Sequence, residues 1–144
     1  MKVLVVIFAL IYWAPSKILN AQEVEIDFHH AQKKANKEGK NILMVFSGSD
    51  WCKPCIQLKR DVFDTAIFEA YKEKHLIHLE LDFPYKSNAL SADQREHNEA
   101  MAERYNPKGM FPEVLLLTKD GEVLRSVPYK KGMSSEEFIT KLKG

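Results

Sequence analysis

Apolar and polar positions from residue 27 onward follow two periods in turn. Phe28, Ala31 and Ala35 fall on one helical face, with Asp27 before them as a cap and Gly39 after them as a stop. Residues 41–46 (NILMVF) are continuously apolar, the pattern of a central strand buried on both sides. Ser47-Gly48-Ser49-Asp50 reads as a turn. A helix then opens near Cys52, with Cys55, Ile56, Leu58 and Val62 expected inward. Asp64-Thr65 restarts a helix that carries Ile67, Phe68 and Tyr71. Residues 76–81 (LIHLEL) predict a second strand and residues 82–90 a polar loop. Ser91 with Gln94 forms a capping-box pattern for a helix to about Tyr105, and Asn106-Pro107-Lys108-Gly109 breaks it. Residues 113–118 predict a strand, and Asp120-Gly121 turns it back into residues 122–127. Ser134 with Glu137 opens a last helix whose Phe138, Ile139 and Leu142 point inward.

The first two strands are connected through helices and are therefore expected to be parallel, whereas the last two form a hairpin. This order predicts an α/β fold with a mixed sheet and helices on both faces. No internal repeat or low-complexity stretch interrupts it. A chain of 144 residues suits one domain with a real core. Composition adds little: 45% apolar and 28% charged residues are ordinary for a globular protein. The formal net charge of +1 gives no reason to expect nucleic acid or an anionic membrane surface as partner.

The beginning of the chain differs in kind. Lys2 precedes an apolar run from Val3 to Ala14, followed by Pro15, Ser16, Lys17 and then Ile18-Leu19-Asn20-Ala21. A basic start, a short apolar core and a small residue at the end read as a secretory signal. The run is short for a membrane span, which needs roughly 20 residues. The expected division is a signal peptide over residues 1–21, cleaved after Ala21, and an exported domain over residues 22–144 with no stable membrane insertion. An uncleaved anchor is the alternative. No Cys follows the apolar run, which argues against a lipid anchor.

The only two cysteines lie in Cys52-Lys53-Pro54-Cys55. A bridge between them closes a very small loop and constrains the unfolded chain little, so a structural staple is the weaker explanation. Thiol–disulfide exchange instead needs one thiolate to attack and a neighbouring thiol to resolve the mixed disulfide. At a helix start, unpaired N–H groups and the helix dipole favour a negative charge on Cys52, and Lys53 adds to this. Cys55 is expected one turn further in and more buried. Pro54 falls in the first helical turn, where its missing N–H costs nothing. The same spacing also binds zinc, but a structural zinc site needs four ligands. His29, His30, His75, His78 and His97 are scattered without ligand spacing, so no metal and no cofactor is expected.

The segment from Phe46 to Cys55 (FSGSDWCKPC) resembles the active-site segment of the thioredoxin family, in which a Trp precedes the cysteines after a buried strand. Met110-Phe111-Pro112, followed by EVLLLT and Lys119-Asp120-Gly121, resembles that family's cis-proline segment and hairpin. The resemblance extends over nearly the whole exported chain and is nearest to small exported thioredoxin-like proteins of bacteria. It implies a thioredoxin-like fold, a periplasmic location and dithiol–disulfide oxidoreductase activity. It makes Cys52 the attacking and Cys55 the resolving cysteine, places Trp51 beside the site, makes Pro112 a cis-proline, and gives the Phe111 backbone to an extended substrate. Protein or peptide thiols and disulfides are then the substrates, with a further protein to recycle the site.

Two departures from the family pattern matter. Thioredoxins carry a buried Asp on the strand before the site, where this chain has Val45-Phe46, and the nearby Asp50 is expected in a solvated turn. Phe111 is bulky where a small polar residue is usual. Lys-Pro between the cysteines is nearer to a reducing thioredoxin than to a His-containing oxidase, which favours a reductant or isomerase. The competing classes are a non-catalytic binding module on the same scaffold and a copper carrier using both thiolates with Met110.

Overall fold

A computed structural model describes residues 23–86 and 88–144; the expected signal peptide lies outside the described residues. Helix α1 (Phe28–Glu38) begins where the Asp27 carboxylate accepts from the His30 N–H and ends at Gly39, whose φ of 66° is costly for any residue with a Cβ. Strand β1 (Asn41–Ser47) follows, buried from Ile42 onward on both faces. Helix α2 (Lys53–Leu58) starts at Cys52 and runs into a π-helical turn, Lys59–Phe63. The turn closes with Asp64 N–H donating to the Lys59 carbonyl and buries the adjacent Val62 and Phe63 together. Helix α3 (Ala66–His75) is capped by Thr65, and β2 (Leu76–Asp82) follows directly. After the loop come α4 (Ala92–Tyr105), β3 (Glu113–Leu117), β4 (Val123–Ser126) and α5 (Ser135–Lys143).

The sheet has the order β2-β1-β3-β4, with β1 parallel to β2 and antiparallel to β3, and β3 antiparallel to β4. This is the expected mixed sheet. Its two faces are separate cores. Leu43, Val45, Val114 and Leu116 pack against Leu58, Val62, Phe63, Phe68, Phe138 and Leu142 from α2, the π turn, α3 and α5. On the other face Ile42, Met44, Phe46, Ile77, Leu79 and Leu81 meet Phe28, Ala31 and Ala35 of α1, with Met101, Ala102 and Tyr105 of α4 alongside. A strand between two such layers must be apolar at every position, which is why β1 reads as an unbroken run.

Four details differ from the sequence expectation. Ile56, expected inward, is 47% exposed. Cys55 and Leu58 take the inward positions of α2, and Val62 and Phe63 of the π turn continue that packing. Neither capping box is reciprocal: Ser91 and Ser134 accept from the Gln94 and Glu137 N–H groups, but the Gln94 amide reaches instead to the Ile26 carbonyl and the Asn98 side chain. Ahead of α1, Glu25 bridges Leu79 in parallel, so a short stretch of backbone covers the outer edge of β2. Lastly, the hairpin turn closes as Thr118–Glu122 with Gly121 at φ 90°, pressed against the Phe28 ring and the Tyr105 hydroxyl.

Candidate active site

The site forms where β1 ends. Cys52 N–H donates to the Gly48 carbonyl at 2.8 Å, folding the turn back on itself. Cys52 is the N-cap of α2: its Sγ accepts from the Cys55 N–H at 3.3 Å, and its carbonyl accepts from the Ile56 N–H at 3.1 Å. Pro54 occupies the first turn, where no backbone donor is lost. The two sulfurs are bonded across a Cα–Cα distance of 5.2 Å. The expected contrast between an exposed Cys52 and a buried Cys55 is absent in this bonded form, since they are 3% and 4% exposed. Lys53 is exposed beside them.

Trp51 stands 48% exposed at the rim. Its indole N–H donates to the Phe83 carbonyl at 2.7 Å, and the ring meets Phe111 edge-on at 5.4 Å. Phe111 in turn meets Phe83 at 5.4 Å. The indole lies so close over Gly48 that a Cβ there would come within 2.3 Å of it. The Phe111-Pro112 peptide is cis. Glu113 pairs with Phe46 at the end of β1, so Phe111 and Pro112 lie at the same end of the sheet as the Gly48–Cys52 turn. Tertiary pairing thus brings together Trp51, Cys52, Cys55, Phe111 and Pro112. Met110, the candidate third ligand of a copper carrier, is exposed. Among the described residues no group of three or more His, Cys, Asp or Glu is placed to hold a metal ion.

Several residues that build the site carry no motif. The Asp82 carboxylate accepts from both the Ser49 N–H (2.8 Å) and the Ser49 hydroxyl (2.6 Å). Asp50 is exposed and accepts from the Tyr85 N–H at 2.9 Å, so it clamps the loop after β2 to the cysteine turn. Buried Asn98 donates to the Asp82 carbonyl. Buried Asn106 holds Met110 by both backbone groups, accepting from its N–H at 2.9 Å and donating to its carbonyl at 2.8 Å. This fixes the residue that precedes Phe111-Pro112. The only sequence signal for Asn106 was its place before Pro107, which marks a helix end and not a clamp.

Two titratable side chains of β2 face the α2 layer. His78 is buried against Phe63 (4.9 Å) and Phe68 (6.4 Å), and its Nε2 has no hydrogen-bond partner among the described residues. Burial, with Lys72 and Lys59 adding, lowers its pKa from 6.5 to about 3, so it is neutral at ordinary pH. Glu80 is partly buried, and its pKa is raised by that burial and by Asp82, with Lys59 acting in the opposite direction.

Comparison with known proteins agrees with this geometry. The chain is 28% identical over 116 residues to the disulfide bond reductase DsbH of Chlamydia pneumoniae, covering 81% of this chain and 68% of that protein. It is 23% identical over 100 residues to the thioredoxin-related protein DsbJ of the same organism, covering 69% of this chain but 28% of that one. A solved structure of a DsbH oxidoreductase superposes with a TM-score of 0.76 at 27% identity, covering 84% of this chain and 81% of the other. A disulfide-forming cysteine pair set in this fold, with these relatives, is a dithiol–disulfide oxidoreductase site. The thioredoxin-like domain family matches residues 28–143, and the chain belongs to that family.

Proposed function

We propose that the protein reduces or isomerises disulfides in exported proteins, with Cys52 attacking and Cys55 resolving. The observation that carries the reading is the Cys52 Sγ at the head of α2, held by the Cys55 N–H, because the donor that binds the sulfur would also stabilise a thiolate there. Reduced Cys52 attacks one sulfur of a substrate disulfide and the other substrate sulfur leaves as a thiolate. The Cys55 thiolate then attacks Cys52, closing the Cys52–Cys55 bond and releasing the second substrate thiolate. Two electrons pass to the substrate, and a partner dithiol must return them.

Trp51 and Phe111 form an apolar rim beside the sulfurs. Together with the Phe111 backbone next to cis-Pro112, they suit an extended polypeptide with an apolar residue near its cysteine. Pro112 and Pro54 shape the segment on either side of the bond, and Lys53 supports the thiolate electrostatically. The secretory pattern of residues 1–21 supports export, in a bacterium to the periplasm. A relative that is named a disulfide bond reductase, and the Lys-Pro dipeptide, support the reducing direction.

Insulin reduction tests the chemistry: the wild type is active, whereas Cys52→Ser is not. Cys55→Ser should accumulate substrates as mixed disulfides on Cys52, and their identities report the direction. A reduction potential close to that of a strong oxidase would overturn the reducing assignment.

A further inference from the structure

Resolution of the mixed disulfide needs a base that the cysteine motif does not supply. Cys55 lies almost wholly inside the protein, and its thiol must lose a proton before it can attack Cys52. Apolar surroundings oppose that ionisation. The neighbouring acids are engaged elsewhere. Asp50 is exposed and accepts from Tyr85, and both carboxylate oxygens of Asp82 are taken by Ser49.

Glu80 differs from them. It lies directly opposite Val45 in the parallel β1–β2 register. Residues opposite one another in a sheet share a face, and Val45 packs against Leu58 and Val62 from α2 and the π turn. His78, two residues earlier on that face, touches Phe63 of the same layer. The Glu80 side chain therefore projects toward the layer that carries Cys55. The Lys59 N–H donates to the Cys55 carbonyl, and the Lys59 ammonium is among the charges that act on Glu80. The Glu80 carboxylate has no hydrogen bond or ion pair among the described residues.

We propose that Glu80 accepts the proton of Cys55 as the mixed disulfide is resolved. This rests on the assignment of Cys55 as the resolving thiol. The Cys55 S–H proton passes to the Glu80 carboxylate. The resulting thiolate forms the bond to Cys52 Sγ, and the Cys52–substrate bond breaks. The substrate leaves as a thiolate, and Glu80 returns its proton to solvent. The charges around Glu80 suit the task. Burial and Asp82 raise its affinity for a proton, while Lys59 on the π turn lowers it and Asp64, just after that turn, raises it. His78 on the same face is neutral, and Glu25, on the backbone stretch beside β2, is paired with Lys34. A carboxylate with a raised pKa is the better base near neutral pH.

The test uses reduced protein and a nitrothiobenzoate disulfide, whose coloured thiolate is released once when Cys52 attacks and again when Cys55 resolves. In Glu80→Gln the first release should keep its wild-type rate, while the second slows by about tenfold or more near neutral pH. The deficit should shrink as pH rises, because hydroxide replaces the lost base. An unchanged second release overturns the proposal, and so does an equal slowing of both releases at every pH. If the variant does not fold, the carboxyl resonance of Glu80 in the wild type decides. Its titration midpoint should differ between the oxidised and reduced proteins, and an identical midpoint in both overturns the proposal. A wild type that gives no second release sinks the dithiol mechanism itself, which is distinguishable from a variant-specific loss.

Discussion

Gly48 contributes by having no side chain. Its Cα side is filled by the Trp51 indole, with Cε2 2.3 Å from where a Cβ would sit. In Gly48→Ala the indole has to leave, losing its bond to the Phe83 carbonyl and its edge contact with Phe111. A destabilisation of about 1–3 kcal/mol is expected in urea denaturation, with a shift of Trp51 emission. Variants at His78 report on pH instead. Its folded pKa of about 3 lies below the ordinary 6.5, so the unfolded chain binds the proton more readily. Stability associated with neutral His78 is present above about 6.5 and is lost as pH falls toward 3, at up to about 1.4 kcal/mol per pH unit. His78→Leu should lose less stability than the wild type between those limits, as read from unfolding midpoints at several pH values. Equal slopes for the two proteins would show that other groups dominate acid unfolding.

At the scale of elements, the active site is three chain segments held together by side chains outside the cysteine motif. The turn after β1 is tied to the end of β2 through Ser49–Asp82 and to the loop after it through Asp50–Tyr85 and Trp51–Phe83. The segment ahead of β3 is held by Asn106. Asn106→Ala removes two partly buried hydrogen bonds and leaves the Met110 backbone groups without their partners. The expected cost is about 1–3 kcal/mol, together with weaker binding of a peptide substrate and little change in the reactivity of Cys52 toward a small alkylating reagent. Loss of both to the same degree would mean that the clamp supports the cysteine turn as well. The helices themselves were legible from capping residues and periodicity: Asp27, Thr65, Ser91 and Ser134 all cap as their positions suggested. The π turn was not, because a single inserted residue in a helix leaves no mark on an amphipathic stripe beyond a local loss of phase. Ile56 faces outward for a different reason: its neighbours Cys55 and Leu58 hold the inward positions of α2.

For the molecule as a whole, the Cys52–Cys55 bond closes a short loop in a domain whose stability comes from two apolar layers. Chain entropy for so small a loop gives about 2 kcal/mol at most in favour of the oxidised form. Urea unfolding of the oxidised and reduced proteins should therefore differ modestly, with both cooperative. Unfolding of the reduced protein at low urea would show that the bond is structural, against the redox assignment. The sequence by itself determined the order of elements, the parallel and hairpin connections and the two reacting residues, because helical caps, apolar periodicity and the Cys-Lys-Pro-Cys spacing are local properties of the chain. It also marked Trp51, Phe111 and Pro112 through family resemblance. Only the tertiary structure decided that Asn106 and Asp82 hold the site, that both cysteines are covered in the bonded form, and that Glu80 stands opposite Val45 beneath the α2 layer. Those relations depend on strand register and on contacts between residues far apart in sequence, and neither is written in the local pattern of polar and apolar positions.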